Sequence, residues 1–160
     1  MSQGSWSHEI ATAVPAGQLF KAALIDWHNL GPKIAPEVIA GASVVSGDGS
    51  VGSIRELKFT PAIPFSNLKE RLDLVDHEKF EVKSTVVEGG TLGVHVESVS
   101  THFKLEPTVN GGCIVRVTAT YKLLPGVQDD AGEVAKAKVA LTKHIKAAEA
   151  YLVANPTAYA

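Results

Sequence analysis

Residues 47–61 read G-D-G-S-V-G-S-I-R-E-L-K-F-T-P, and the segment after the glycines decides the fold. The glycines match the G-x-G-x-x-G spacing of dinucleotide-binding loops, and Asp73 lies about twenty positions further on, as that motif requires. Such a loop must lead into a helix whose N-terminal amides hold the pyrophosphate. Leu57 and Phe59 instead alternate with polar residues and Pro61 closes the run, which is typical of a strand. The sequence therefore predicts a hairpin loop that needs positive φ angles at glycine, with an anion-binding nest as the minor alternative.

The elements around this strand predict an α+β fold. Polar and apolar residues alternate at the start of the chain, and short runs rich in valine, isoleucine and threonine recur between glycine-containing breaks in the middle. A single apolar stripe with helical spacing follows near the end. The predicted order is a strand over 5–14, a helix over 15–25, a helix capped by Asp26 and ended by Pro36, six strands within 40–122, and a helix over about 129–154. This order favours a long helix lying on an antiparallel sheet.

Composition restricts the class of protein. A chain of 160 residues with 45% hydrophobic and 20% charged residues is typical of one globular domain. A net charge of −2 gives no general attraction to nucleic acid or to an anionic membrane. The sequence shows no secretory signal and no apolar run of membrane-spanning length, so we expect no membrane partner. Cys113 is the single cysteine, which excludes an internal disulfide and favours a cytoplasmic location.

Because successive side chains of a strand point to opposite faces of the sheet, the alternation along each strand (strand parity) predicts which side chains face the long helix. Several inward positions are small, so the interior either encloses a cavity or is filled by neighbours such as Phe59 and Phe65, and the residues leave both outcomes open. The side chains predicted to line this interior are Ile39, Arg55, Phe59, Phe65, Glu70, Val82, Ser84, Glu97, Val99, Phe103, Val115, Val117, Ala119, Leu141 and Ile145. The same parity places Glu97 on the face of Val99 and Phe103.

Charged side chains on these inward faces need partners. Arg55, Glu70 and Glu97 share faces with apolar residues, and Glu149 borders the helix stripe beside Tyr151. Because an unpaired charge in apolar surroundings is costly, we expect a pair of Arg55 with Glu97 or Glu149. As an alternative role, the same groups can orient the polar end of an otherwise apolar ligand.

Several longer motifs carry a family resemblance. They are G-D-G-S-V-G-S-I at 47–54, K-E-R-L-D-L-V-D-H at 69–77, V-V-E-G-G at 86–90, N-L-G-P-K-I-A-P at 29–36 and E-A-Y-L-V-A-N-P at 149–156. In these motifs the chain resembles the class-10 pathogenesis-related proteins of plants, the relatives of the birch-pollen major allergen (the Bet v 1-like family). The resemblance implies a seven-stranded antiparallel sheet wrapped around a long C-terminal helix, with two short helices bracing the helix end. It implies one ligand-binding domain over 1–160.

The resemblance also implies a function. Members of this family are intracellular defence- or stress-related proteins and allergens that hold small amphipathic molecules in a large apolar cavity. The ligands include hormones such as cytokinins or abscisic acid, flavonoids and sterol-like molecules, and no cofactor is involved. We therefore expect a small-molecule partner and a monomer, with a dimer as the alternative. The gate and latch loops of the abscisic-acid receptors are not evident here, and Val82 and Ser84 stand where many members carry tyrosines.

Ribonuclease activity is the alternative that the resemblance offers. The residues it would assign are Arg55, Glu97, Glu149 and Tyr151, with RNA as the partner and the glycine-rich loop Gly47, Asp48, Gly49, Ser50, Val51 and Gly52 nearby. Two carboxylates and a guanidinium can supply acid, base and charge stabilisation for RNA cleavage. The negative net charge and the lack of an aromatic and basic patch favour ligand binding instead.

The remaining titratable groups indicate no metal site. The six histidines form no H-x-x-x-H motif and no cluster with Cys113. Four lysines on the last helix are interpreted as a solvated face: Lys136, Lys138, Lys143 and Lys146.

Overall fold

The computed structural model describes residues 3–160, and its elements follow the predicted order. The strands are β1 (Gln3–Thr12), β2 (Ile39–Ser46), β3 (Ile54–Phe59), β4 (Asn67–Asp76), β5 (Glu81–Gly89), β6 (Val96–Pro107) and β7 (Cys113–Leu123). The helices are α1 (Ala16–Leu19), which widens into a π-helical segment (Phe20–Ile25), α2 (Trp27–Ile34) and α3 (Ala131–Ala154). The predicted α+β architecture is confirmed.

All seven strands form one antiparallel sheet in the order β1-β7-β6-β5-β4-β3-β2. Strands β2 to β7 follow one another as hairpins, and β1 closes the other side of β7, with Ile10 opposite Val115. The helix α3 packs against β1, α1, the π-helical segment and α2. Within residues 3–160, no helix is both long enough and apolar enough to cross a membrane.

The core lies where β1 and β7 meet the C-terminal half of α3. Along β7, the inward residues Val115 and Val117 are 0% and 1% exposed, while Arg116 and Thr118 between them are exposed. On α3, Ile145 is 0% and Leu152 is 2% exposed. Burying each such aliphatic side chain contributes about 1.5–3 kcal/mol, so this end of the molecule holds helix and sheet together.

Side-chain contacts fix the ends of the helices. The Asp130 carboxylate accepts a hydrogen bond from the Gly132 amide at 2.8 Å and caps α3. The prediction that Asp26 caps α2 is right in position but wrong in mechanism. Its side chain makes no capping bond and instead accepts hydrogen bonds from Asn29 Nδ2 at 2.6 Å and from the Tyr159 hydroxyl at 2.5 Å. The C-terminal residues are thereby tied to the start of α2.

The glycine-rich loop connects β2 and β3, as predicted. Gly47, Gly49 and Gly52 have φ angles of 87°, 96° and 92°, which glycine adopts without the penalty that a side chain brings. The loop amides find partners within the protein: the Gly49 amide donates to Ser53 Oγ at 2.8 Å and the Gly52 amide to the Leu72 carbonyl at 2.7 Å. One of these amides closes the loop on itself and the other holds it on β4, which leaves the nest alternative without support.

Two β-bulges change the predicted strand faces. In β6 the register shifts between Val96, which pairs with Leu123, and Ser98, which pairs with Lys122. The extra residue is Glu97, which turns to the outer face and forms a salt bridge with Lys122 at 3.1 Å. Its prediction as an inward side chain beside Val99 and Phe103 is wrong, because parity does not continue across a bulge. A second shift in β4 leaves Leu74 37% exposed on the outer side.

Candidate functional site

The apolar side chains on the concave face of the sheet are not buried to the same degree. Leu105 and Val117 face α3 and are each 1% exposed. Phe103 lies opposite Val117 on that same face, and Val99 is four residues before it, yet both are only half-buried. Leu57 on β3 is likewise half-buried. Apolar side chains on a face covered by a helix keep solvent access only when the helix does not fill the space above them.

The long helix shows the same division along its length. Ile145, Ala148 and Leu152 on its C-terminal half are buried, but Val134 and Leu141 on the same stripe are half-buried. The N-terminal half of α3 is therefore less completely buried than its C-terminal half. We define the interior space as the region between the concave face of β3–β6 and residues 134–145 of α3.

An ion pair between a buried arginine and a half-buried glutamate lies beside this space. Arg55, 7% exposed on β3, lies directly opposite Glu70 on β4 and donates to its Oε1 from Nη2 at 2.6 Å and from Nε at 3.2 Å. The Arg55 Nη1 group donates to the carbonyls of Leu24 and Ile25 at 2.7 and 3.3 Å. The predicted pairing of Arg55 with Glu97 or Glu149 is wrong, because register places Glu70 opposite Arg55. Arg55 joins the sheet to the end of the π-helical segment.

An aromatic pair continues the wall toward the helices. The imidazole of His144 on α3 stacks on Trp27 of α2 with ring centroids 3.9 Å apart and an angle of 21° between the planes. His144 Nε2 donates to the Ala23 carbonyl at 2.8 Å. Burial, with the charge of Arg55 adding to it, lowers the pKa of His144 to about 4. Burial also lowers the pKa of His28, so both imidazoles are neutral at neutral pH.

The floor of the space carries two uncharged hydroxyls. Ser84 on β5 lies opposite Thr101 on β6, and both side chains are on the concave face. Neither hydroxyl has a hydrogen-bond partner in the part of the chain that the structure describes. A ligand with polar groups along an apolar body can bond to such hydroxyls without displacing an internal contact.

The predicted lining residues fall into two groups. Ile39, Val82, Ser84, Val115, Val117, Ala119 and Ile145 are buried, and Phe59, Phe65, Glu70, Val99, Phe103 and Leu141 are half-buried. Phe59 and the loop residue Phe65 meet edge to face at 5.5 Å and close one side. Contact of these residues with a ligand stays a prediction.

The four residues of the ribonuclease alternative do not come together. Arg55 is bound to Glu70 inside the sheet, whereas Glu97 lies on the outer face with Lys122. Glu149 accepts from the Ala13 amide at 2.7 Å and pairs with Lys146 at 3.1 Å, at the far end of α3. Tyr151 packs against the core. Each carboxylate has a structural partner on a different element, so no acid–base pair is assembled around Arg55.

Sequence reasoning missed three residues of this region. His144 and Trp27 are far apart in the chain, and no sequence signal announced their stacking. Lys138 was interpreted as solvated, although it lies seven residues before Ile145 and therefore on the same stripe of the helix. That spacing was the available signal.

The outer face of the sheet also carries open grooves. Two of them, of about 520 and 500 Å³, lie along β1, β6 and β7 and are lined largely by polar side chains such as Ser5, Ser100 and Thr120. They lack the apolar lining that encloses small molecules in proteins. The interior space is therefore the better candidate site.

Comparison with known proteins agrees with this architecture. The model of the pathogenesis-related protein Bet v 1 family matches residues 1–155. The chain is 68% identical to pathogenesis-related protein 1 of Asparagus officinalis over 160 residues, 99% of both chains. It is 35% identical to the major pollen allergen Car b 1, isoforms 1A and 1B, of Carpinus betulus over 155 residues, 97% of both chains.

Solved structures share the fold. The crystal structure of Ara h 8.0201 superposes with a TM-score of 0.83 at 24% identity, covering 95% of this chain and 99% of the other. Norcoclaurine synthase from Thalictrum flavum, in complex with dopamine and hydroxybenzaldehyde, gives a TM-score of 0.71 at 24% identity, covering 96% and 87%. From its sequence and its fold, the chain belongs to the pathogenesis-related protein Bet v 1 family.

Proposed function

We propose that this protein reversibly binds a small amphipathic molecule in the interior space. The observation that carries the proposal is that Val99 and Phe103 on the concave face of β6 and Leu141 on α3 are only half-buried, whereas Leu105 on β6 and Ile145 on α3 are buried. Uncovered apolar surface on a concave face is stabilised when an apolar ligand removes it from water, by about 25 cal/mol per Å². Hormones such as cytokinins or abscisic acid, flavonoids and sterol-like molecules are the ligand classes that fit this description.

The polar groups supply orientation. Ser84 and Thr101 offer hydroxyls in the floor, and Glu70 uses Oε1 for both contacts to Arg55, so its Oε2 remains as an acceptor. The Arg55 guanidinium is occupied by Glu70 and by backbone carbonyls. We therefore assign ligand orientation to the hydroxyls and Glu70, and a structural role to Arg55. Glu97 has no part in this function, because it lies on the outer face.

A pair of substitutions on neighbouring strand positions tests the proposal. Thr101→Phe places a ring in the interior space, whereas Ser100→Phe places the same ring on the outer face of β6, where Ser100 lies opposite Thr120. Binding of the fluorescent apolar probe 1-aminoanthracene is measured by titration, followed by displacement with a flavonoid and a cytokinin.

We expect saturable binding to the wild type, displacement by at least one competitor, and a loss of affinity of tenfold or more in Thr101→Phe alone. Equal affinity in both variants would place the probe elsewhere and refute the site. Absence of saturable binding to the folded wild-type protein would refute the function.

No observation favours ribonuclease activity as a second function. Its residues would have to leave their salt bridges and cross the sheet to act on one phosphate. The protein's action inside the cell and its monomeric state stay predictions.

A further inference from the structure

The two halves of α3 are held against the sheet by different kinds of contact. None of residues 131–142 is buried, whereas Ile145 and Leu152 in the C-terminal half are 0% and 2% exposed. A helical segment without buried side chains gains little from the removal of apolar surface from water and opens more readily than the core. Polar contacts therefore decide whether the first half of α3 stays on the sheet.

Tyr121 on β7 supplies such a contact at the start of α3. Its hydroxyl donates to the carboxylate of Asp129, and both oxygens of that carboxylate lie 2.8 Å from it. Asp129 lies two residues before α3, on the segment that connects the helix to β7. The other side-chain hydrogen bond that joins 129–142 to the sheet, within the part of the chain that the structure describes, is that of His8 Nε2 with Thr142 Oγ1 at 2.9 Å.

The ring of Tyr121 reaches Asp129 by lying across β1. Tyr121 is opposite Gly4 on β1 and opposite Val99 on β6, so its side chain is on the concave face with theirs. A Cβ at Gly4 would lie 2.6 Å from Cε2 and Cζ of Tyr121, so the ring occupies the space that a side chain at this position would take. The ring is thereby turned toward β1 and away from Val99, which stays half-buried beside the interior space.

The contact between Tyr121 and Asp129 can break without disturbing the rest of the fold. Burial, with the bond to Asp129 adding to it, raises the pKa of Tyr121 to about 12, so the hydroxyl remains a donor at neutral pH. Asp129 is exposed, and Gly126 on the same segment has a φ angle of 80° with nothing within 4 Å of a Cβ placed there. One reversible hydrogen bond thus fixes a segment that has room to move.

From this arrangement we infer that the hydrogen bond between Tyr121 and Asp129 is a tether that controls how fast a ligand enters and leaves the interior space. Residues 134–145 of α3 bound that space, so breaking the tether lets this part of the helix move away from the sheet. The tether re-forms over the bound molecule, so it changes the rates of binding and release by the same factor and leaves the affinity unchanged. This inference rests on the proposed function, adds regulation to the same site, and holds whatever the chemical class of the ligand.

The test measures the association and dissociation rates of 1-aminoanthracene by stopped-flow fluorescence. Tyr121→Phe and Asp129→Ala each remove one partner of the tether, and Gly4→Ala displaces the ring while both partners stay in place. Tyr151→Phe is the matched control, because it removes a hydroxyl near the other end of α3. Circular dichroism and thermal unfolding establish that every variant is folded, and hydrogen exchange followed by mass spectrometry reports the opening of α3 directly.

We expect Tyr121→Phe to raise both rate constants by about fivefold, as the loss of one hydrogen bond to a partly exposed carboxylate implies, with the dissociation constant changed by less than about twofold. Asp129→Ala and Gly4→Ala should act in the same way, and Tyr121→Phe combined with Asp129→Ala should add nothing further. Amides of residues 135–142 should exchange faster in Tyr121→Phe, whereas those of 145–152 should exchange as in the wild type. Tyr151→Phe should leave both rates as in the wild type.

Unchanged rates in Tyr121→Phe, or equal effects in Tyr151→Phe, would overturn the inference. A faster release with a matching loss of affinity would also overturn it, because Tyr121 would then act by contact with the ligand. If the probe does not bind the folded wild type, the proposed function fails and the tether's control of it fails too. Normal binding with wild-type rates in Tyr121→Phe refutes the tether alone.

Discussion

Arg55 and Glu70 face each other across β3 and β4, with Nη2 and Nε of the guanidinium sharing one carboxylate oxygen at 2.6 and 3.2 Å. The same guanidinium holds the Leu24 carbonyl at 2.7 Å. One side chain thereby connects the sheet to the helical segment that leads into α2. Arg55 is the buried member of the pair. Glu70 depends on Arg55 for charge balance, and the Leu24 carbonyl depends on it for a hydrogen bond.

We predict that Arg55→Met destabilises the protein by about 3–5 kcal/mol, because it leaves the Glu70 carboxylate and a buried carbonyl without a donor. The double variant Arg55→Met/Glu70→Leu should be less destabilised than the sum of the single changes. Urea unfolding of the four proteins in this double-mutant cycle measures both quantities.

Arg71→Met is the matched control for this cycle. Arg71 lies one position along β4 and pairs with Asp73 at 2.8 Å, but its side chain is 47% exposed. Exposed pairs contribute about 0–1 kcal/mol. A cost for Arg55→Met no larger than that for Arg71→Met would contradict the structural role of Arg55.

Alanine substitutions in the glycine-rich loop should destabilise the protein to different degrees. An alanine Cβ at Gly47 would lie 2.4 Å from Ser53 Oγ at a φ of +87°, whereas at Gly49 the φ is +96° and nothing lies within 4 Å. We expect Gly47→Ala to destabilise by roughly 2–3 kcal/mol and Gly49→Ala by about 1 kcal/mol. Gly41→Ala in β2 is the control, since its φ is not positive and its surroundings are open. Thermal unfolding should show the largest loss of stability for Gly47→Ala, a smaller loss for Gly49→Ala and the smallest for Gly41→Ala. Equal losses for Gly47→Ala and Gly49→Ala would show that the contact of the added Cβ with Ser53 has no cost.

Acid should destabilise the protein through His144. Its pKa falls from 6.5 to about 4 in the folded state, so below 6.5 the unfolded chain binds the proton more readily than the folded one. The free energy of unfolding therefore falls as the pH falls from about 6.5 to about 4, by roughly 2–3 kcal/mol, and is unaffected by this group above that window. His28 contributes in the same direction, because its pKa is also lowered.

Substitution separates this effect from general acid sensitivity. His144→Gln should lower stability at neutral pH through the loss of stacking on Trp27, but should flatten the pH dependence between those limits. His77→Gln removes an exposed histidine and is the control for the loss of an imidazole as such. An unchanged slope in His144→Gln, measured by urea unfolding across the window, would rule out His144 as its source.

The C-terminal residues should contribute measurably to stability. The Tyr159 hydroxyl donates to Asp26 Oδ2 at 2.5 Å, and burial, with this contact adding to it, raises the pKa of Tyr159. Hydrogen bonds to charged groups contribute about 1.5–3 kcal/mol, so Tyr159→Phe should lower the free energy of unfolding by that amount. In an Asp26→Ala background the same substitution should cost almost nothing. A full cost in that background would show that the hydroxyl acts through another group.

Glu97 should tolerate change. Its side chain is 50% exposed and bonded to an equally exposed Lys122. We expect Glu97→Gln to change the free energy of unfolding by less than about 0.5 kcal/mol and to leave probe binding unaltered. A large loss of probe affinity in this variant would contradict the conclusion that Glu97 takes no part in ligand binding.

Local patterns were sufficient for the architecture. The period-two spacing of Leu57 and Phe59 after the glycines identified β3 and excluded a nucleotide loop, and the stripe through Ile145 identified α3. The Arg55–Glu70 pair follows from the register of one hairpin, since pairing Lys58 with Asn67 places the two residues opposite each other.

The sequence was insufficient where the structure departs from regular periodicity. Nothing in the residues around Glu97 marks the bulge that turns it outward. The stacking of His144 on Trp27 depends on how α2 meets α3, which no local pattern encodes. Lys138 is the opposite case, because its periodicity was readable but its lysine side chain favoured a solvent-facing interpretation.

The bulge at Glu97 also determines which kinds of mutation can change the interior. Substitutions between Val96 and Ser98 alter the outer surface, because the extra residue keeps position 97 outside. Deleting one residue there would remove the register shift and bring a neighbouring side chain into the regular alternation of β6. Because Val96 and Val99 both lie on the inner face, such a deletion would leave a single outward position opposite Lys122, and the inner face would stay free of a carboxylate at this point.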